Sequence, residues 1–83
     1  MGFEQFVERL GTLLRVDFPN PPNPYENLYD DLGLDSVKAF EMLIIIESLA
    51  ECMVPPMELP EIFTLADAHE YYEQLRSIEL AES

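Results

Sequence analysis

Apolar residues recur every three or four positions in the first part of the chain, and polar residues lie between them. The apolar positions of this segment are Phe3, Phe6, Val7, Leu10, Leu13 and Leu14. That spacing places them on one face of an α-helix, so we predict a helix over about residues 3–15. Gly11 is a mild weakness in this helix, because glycine is unfavourable inside helices.

A second helix is predicted from residue 37 to about residue 51, where apolar residues occur on all sides. A helix of this kind normally lies at the centre of a fold. A short strand over 43–46 is the alternative interpretation, but the sequence predicts no second strand to pair with it. Pro55 and Pro56 end the helix, because proline breaks the hydrogen-bonding pattern of a helix.

The last part of the chain predicts one short and one longer helix. Residues Met57 to Ile62 can form at most a helical turn, since Pro60 interrupts them. Residues 64–67 read TLAD, a start similar to a capping box, and a helix is predicted over about 65–76. Residues 77–83 are expected to be a frayed tail.

Together these elements predict an all-α fold, a small four-helix bundle of three main helices and one short helix with a long first loop. We expect one domain over 1–83, with its core over about 3–76. The predicted core residues are Phe6, Val7, Leu10, Leu14, Leu32, Phe40, Leu43, Ile46, Leu49, Ile62, Leu65, Ala68 and Tyr72.

The connection between the first two helices is about 20 residues long, which is uncommon in a compact domain and often functional. Four of the six residues 19–24 are proline, so this part forms neither a helix nor a central strand. Apolar side chains along the connection are expected to hold it against the core. They are Phe18, Tyr25, Leu28, Tyr29, Leu32 and Leu34.

Charge narrows the classes of partner. The 83 residues include 17 acidic and 4 basic ones, for a net charge of −13. Such a chain repels nucleic acids and anionic membrane surfaces and attracts a basic patch on a protein.

The single cysteine excludes an intramolecular disulfide, and neither a signal peptide nor an apolar run near the ~20 residues of a membrane span is present. We therefore expect a cytoplasmic monomer.

The sequence predicts neither a metal site nor a catalytic site. Asp30 and Glu41 have the spacing of positions 1 and 12 of a calcium loop, but leucines stand at positions 3 and 5, where oxygen ligands are needed. Cys52 and His69 are the only candidates for a nucleophile and its base, and no third group accompanies them. We expect Cys52 to pack at a helix end and His69 to lie on a helix face.

One motif indicates a function. Residues 31–37 read DLGLDSV and place the Ser36 hydroxyl where an acidic turn meets the second predicted helix. Gly33 is expected to have a positive φ, and Ser36 is expected to be the N-cap. A helix N-terminus offers unpaired N–H donors and a positive dipole end. Ser36 could therefore also carry a phosphodiester-linked group.

This motif resembles the attachment motif of the acyl carrier protein family, Asp-Leu-Gly-x-Asp-Ser-Leu followed by a helix. Glu41 and Glu47 fall where that family places acids on the following helix, and Ile62, Thr64 and the helix after them look like the family's last segment. The resemblance covers roughly residues 3–76. It is specific over 28–47 and weak before residue 25.

The resemblance implies that Ser36 carries 4′-phosphopantetheine, which a phosphopantetheinyl transferase takes from coenzyme A, and that Asp35 and Gly33 complete the attachment site. The thiol of this arm would hold an acyl or polyketide intermediate as a thioester, so the chain itself would not be an enzyme. Partners would be acyltransferase- and ketosynthase-type enzymes of fatty acid or polyketide biosynthesis, with basic docking patches. The partner-binding residues would be Val37, Lys38, Glu41, Ile44 and Glu47.

Some positions depart from the family pattern. Val37 replaces the usual leucine, Lys38 and Ser48 stand where acids are common, and the proline-rich loop has no counterpart. Phe40 is bulkier than usual; it either shapes the partner face or closes the core, and we expect the core. A carried chain is expected to be sheltered among Phe40, Leu43, Ile62 and Ala68. The competing hypothesis is an unmodified acidic interaction module that binds a basic partner through Glu41, Glu47 and Glu51.

Overall fold

The computed structural model describes residues 1–51 and 61–82, with side chains as far as residue 77. These residues form three helices, α1 (Phe3–Leu14), α2 (Ser36–Leu49) and α3 (Leu65–Glu82), and each helix contacts the other two. The described residues contain no strand, only an isolated antiparallel bridge between Asn27 and Thr64. The all-α prediction is therefore confirmed. The short helix predicted over 57–62 falls mostly on residues outside the described part.

Helix α1 matches its prediction closely. Its buried residues Phe6, Val7, Leu10 and Leu14 face the other two helices. Gly11 permits a close approach of the following chain: a Cβ at this position would lie 2.9 Å from the Val16 carbonyl oxygen. Glycine, unfavourable for the helix itself, thus lets the loop turn back onto α1 immediately after the helix ends.

The long loop is held to the core by fewer side chains than predicted. Leu28 and Leu34 are buried, and Phe18 and Leu32 pack partly buried against the core. Tyr25 and Tyr29, expected to pin the loop, are instead 83% and 38% exposed. Tyr29 lies in the turn that follows the bridge at Asn27, where its N–H donates to Asn27 Oδ1.

Helix α2 places Ile46 in the core as predicted, but the rest of its buried face differs from the prediction. Met42, Ile46 and Ala50 are fully buried at spacings of four residues, while Leu43 and Leu49 are partly buried. Phe40 is 57% exposed, so its placement in the core was wrong. It precedes Met42 by two residues, about 200° around the helix, and therefore lies on the opposite side.

Helix α3 begins as predicted and extends further. The Asp67 N–H donates to Thr64 Oγ1 at 3.1 Å, and Asp67 Oδ2 accepts from the Thr64 N–H at 3.2 Å, which confirms the capping box. The helix continues through Glu82 instead of ending near residue 76, so the expected frayed tail is helical as far as that residue.

His69 lies on a face of α3 as expected, and that face packs against the aromatic rings of α1. Its ring centroid is 5.6 Å from that of Phe3 and 5.2 Å from that of Phe6, and its Nε2 atom is 3.2 Å from Glu73 Oε1. His69 therefore has a packing role and connects α1 with α3. Cys52, which is expected to pack at a helix end, lies outside the described residues.

Candidate functional site

The start of α2 is capped by Asp35, so the assignment of Ser36 as N-cap was wrong by one residue. Asp35 has extended backbone angles, and its Oδ1 atom accepts a hydrogen bond of 2.8 Å from the Lys38 N–H. Aspartate and serine cap about equally well, but the carboxylate also places negative charge at the positive end of the helix. The cap bond therefore does not use the Ser36 hydroxyl. Ser36 is the first helical residue and is exposed.

Gly33 adopts the left-handed conformation predicted for it, with φ of +71°. Its N–H donates to the Tyr29 carbonyl at 3.2 Å, and the Leu34 N–H donates to the Leu28 carbonyl at 2.9 Å. A Cβ at Gly33 would meet no atom within 4 Å. Position 33 thus requires glycine because of its backbone conformation and not because of close packing. The surface beside Gly33, three residues before Ser36, is open.

The turn before Gly33 is held by its own polar side chains. Asn27 Oδ1 accepts from the N–H groups of Tyr29 and Asp30 at 2.8 and 2.9 Å, while Asp31 Oδ2 accepts from the Asn27 N–H at 2.8 Å. These bonds fix the approach of the chain to Ser36. Within the described part of the chain, no group of three or more His, Cys, Asp or Glu side chains could hold a metal ion.

Three large apolar side chains project from the outer side of α2. Val37, Phe40 and Ile44 are 65%, 57% and 53% exposed. Their spacing of three and four residues puts them in one line along the helix, and we call these three residues the apolar stripe. The stripe starts one residue after Ser36. The predicted partner-binding set included Val37 and Ile44, whereas Phe40 was assigned to the core.

Lys38 projects towards the neighbouring helix. Its Nζ atom donates to the carbonyl oxygen of Leu14, the last residue of α1, at 3.1 Å. The same atom lies 3.6 Å from Glu41 Oε2, and the two side chains are 39% and 50% exposed. The ammonium group thus satisfies a carbonyl at the negative end of α1 and partly neutralises Glu41.

The other acids predicted to face partners also have contacts within the protein. Glu47 is half-buried, and its Oε1 atom accepts from the Tyr71 hydroxyl at 3.3 Å. Glu51 Oε2 lies 3.8 Å from Arg76 Nη1 in an exposed pair. Exposed pairs of this kind contribute little to stability, but they lower the local excess of negative charge. The apolar stripe is therefore an accessible surface of α2 beside acids that already have contacts within the protein.

Two further exposed aromatic side chains lie close to the bridge between Asn27 and Thr64. Tyr29 and Phe63 are 38% and 51% exposed, and their ring centroids are 6.4 Å apart with an interplanar angle of 62°. The Leu28 N–H donates to the Phe63 carbonyl at 2.7 Å and joins the two segments. We call Tyr29 and Phe63 the aromatic pair. It joins residues 34 positions apart, and no local sequence pattern indicates it.

Two surface hollows lie along α1, away from this site. One of about 430 Å³ is lined by residues of α1 and Met1, and one of about 400 Å³ lies between α1 and residues 16–22. Neither is lined by Ser36.

Comparison with family models finds no model that matches the chain. No helix in the described ranges combines the length and the apolar character needed to cross a membrane. The interpretation of the site accordingly depends on its geometry and on the motif at residues 31–37.

Proposed function

We propose that this chain is an acyl carrier protein whose Ser36 carries 4′-phosphopantetheine. The observation that carries the proposal is the exposed Ser36 at the first position of α2, in the run DLGLDSV, with Asp35 forming the helix cap. Because the cap bond uses the Asp35 carboxylate, the helix start is maintained whether the serine oxygen is free or esterified.

The surroundings of Ser36 fit the attached group. The left-handed Gly33 turns the chain sharply just before α2, and it presents no side chain to obstruct an approaching transferase. The bonds of Asn27 and Asp31 to the backbone keep this turn fixed. Ser36 is thus held on a rigid turn-helix junction with its surroundings open.

Attachment joins Ser36 Oγ to the β-phosphorus of coenzyme A while the pyrophosphate P–O bond breaks. Adenosine 3′,5′-bisphosphate leaves, and the hydroxyl proton passes to a base of the transferase. When bound, the arm supplies a thiol that holds an acyl or polyketide intermediate as a thioester. The chain contributes the attachment point and the docking surface, and the partner enzymes contribute the catalysis.

The apolar stripe supports docking by those partners. It begins next to Ser36, so an enzyme that covers Val37, Phe40 and Ile44 also reaches the arm. The net charge of −13 complements a basic patch and accelerates encounter, whereas desolvated apolar contacts prolong the complex. We assign transferase, acyltransferase- and ketosynthase-type partners to this surface.

Intact mass spectrometry tests the proposal. The protein is incubated with coenzyme A and a broad-specificity phosphopantetheinyl transferase. The wild type should gain one phosphopantetheine group, and Ser36→Ala should gain none. Ser48→Ala is the matched control, because Ser48 is an exposed serine on the same helix, and it should be modified like the wild type. An unmodified wild type, the result expected for an acidic interaction module, or a modified Ser36→Ala would overturn the proposal.

A further inference from the structure

We propose that the aromatic pair, Tyr29 and Phe63, is a surface binding site for the apolar acyl group carried on the arm of Ser36. This inference rests on the proposed function. It replaces the expectation that Phe40 helps to shelter the chain, since Phe40 projects outward on α2.

The two rings are held in place by the backbone. The Phe63 carbonyl oxygen accepts a hydrogen bond of 2.7 Å from the Leu28 N–H, and the adjacent residues Asn27 and Thr64 form an antiparallel bridge. The ring separation of 6.4 Å and the angle of 62° are typical of an edge-to-face aromatic contact. The backbone bridge and the contact between the rings restrict both side chains, so binding a chain requires less further ordering of them.

The aromatic pair is within reach of Ser36. The Gly33 N–H contacts the Tyr29 carbonyl at 3.2 Å, and three residues of extended chain span at most about 11 Å between Gly33 and Ser36. Gly33 lies between Tyr29 and Ser36 along the chain, and a Cβ there would meet nothing within 4 Å. The segment that joins Tyr29 to Ser36 thus presents no side chain at Gly33 that could obstruct an arm directed towards Tyr29.

The size of the aromatic pair favours a tethered acyl group over a protein partner. The exposed parts of two such rings amount to roughly 200 Å², since a whole Phe or Tyr side chain presents about 150–250 Å². A stable protein interface requires about 800 Å² from each partner. A group on a short tether has an effective concentration in the millimolar range, so a small apolar surface is enough to hold it. The acyl groups held would be medium-length aliphatic or aromatic ones.

The test uses the intact protein loaded by the transferase from octanoyl-coenzyme A or from acetyl-coenzyme A, with loading checked by intact mass. Aromatic ¹H–¹³C NMR spectra and nuclear Overhauser contacts then report on the rings. The octanoyl form should shift the ring signals of Tyr29 and Phe63 and show contacts from the chain to both rings. The acetyl form should shift them less than half as much.

Phe63→Leu keeps an apolar side chain and removes the ring, and it should reduce the octanoyl-induced shift of Tyr29 at least twofold. Tyr25→Ala is the control, because Tyr25 is an 83% exposed tyrosine of the same loop, and it should leave the shifts unchanged. Chain contacts to Ile62 and Ala68 without contacts to the rings, or equal shifts from the two acyl groups, would overturn this inference alone. Ring shifts that arise only when a partner enzyme binds would also overturn it and identify a partner interface. Failure to load the wild type would instead refute the proposed function, and this inference with it.

Discussion

Lys38 provides a sharp test of the structure, because its predicted and observed roles differ. The sequence places Lys38 on the partner face, whereas its Nζ atom bonds to the Leu14 carbonyl 24 residues away. Lys38→Met retains the length and apolar stem of the side chain and removes the ammonium group. The substitution therefore breaks the link between the start of α2 and the end of α1 with little change in packing.

The expected loss of unfolding free energy in Lys38→Met follows from the contacts that the ammonium group makes. A hydrogen bond to a charged group contributes about 1.5–3 kcal/mol, and a cation at a helix C-terminus about 0.3–1 kcal/mol. Because the side chain is 39% exposed, solvent screens both, and we expect a loss of about 1 kcal/mol. In a domain of this size that lowers Tm by about 4–8 °C. Thermal unfolding followed by far-UV circular dichroism measures the shift, and urea unfolding should show an unchanged m-value.

The matched control is Arg9→Gln, which removes one positive charge from an exposed position on α1. It should leave Tm nearly unchanged, because only overall charge repulsion increases. Equal losses in the two variants would show that net charge is responsible. An unchanged Tm in Lys38→Met would refute the reasoning that this lysine joins the two helices.

Three matched comparisons address other parts of the site, each measured by thermal or urea unfolding. Gly33→Ala should destabilise the protein by about 1–2 kcal/mol, because Gly33 has a φ of +71°. Gly2→Ala should have no such effect, since Gly2 has a φ of −71° and equally open surroundings. Equal effects of the two substitutions would contradict a conformational role for Gly33. Asp35→Ala should cost about 1 kcal/mol through loss of the helix cap, and an unchanged stability would argue against that bond. Met42→Ala should cost about 2–5 kcal/mol of stability, whereas Phe40→Ala should cost far less; the reverse order would place Phe40 in the core. Phe40→Ala should instead slow the modification of Ser36, which intact mass spectrometry measures.

The periodicity of apolar residues was sufficient to predict a helix and its buried face where one face of the helix is apolar and the other is polar. It placed α1 within a residue and identified its buried residues, because Phe6, Leu10 and Leu14 form a distinct line. It could not orient α2, since a helix with apolar residues on all sides has no preferred face by pattern alone. Only packing against α1 and α3 selects Met42 over Phe40 for the core.

Local chemistry predicted part of the candidate site. Gly33 was placed correctly, because few other residues tolerate a left-handed turn there. The cap was assigned to Ser36 instead of Asp35, since both residue types cap well and adjacent candidates differ only in where the helix starts. The contacts of Lys38 with Leu14 and of Tyr29 with Phe63 join distant segments, so they depend on tertiary packing and leave no local signal.

The most direct test of the central claim is the mass of the protein isolated from its native cells. The account predicts that the intact protein is heavier than its sequence by one phosphopantetheine group, with or without an acyl group. Fragmentation should place that group on the peptide that contains Ser36. A native protein with the mass of the bare sequence, or with the group on another residue, would contradict the assignment of Ser36 as the attachment site of a carrier protein.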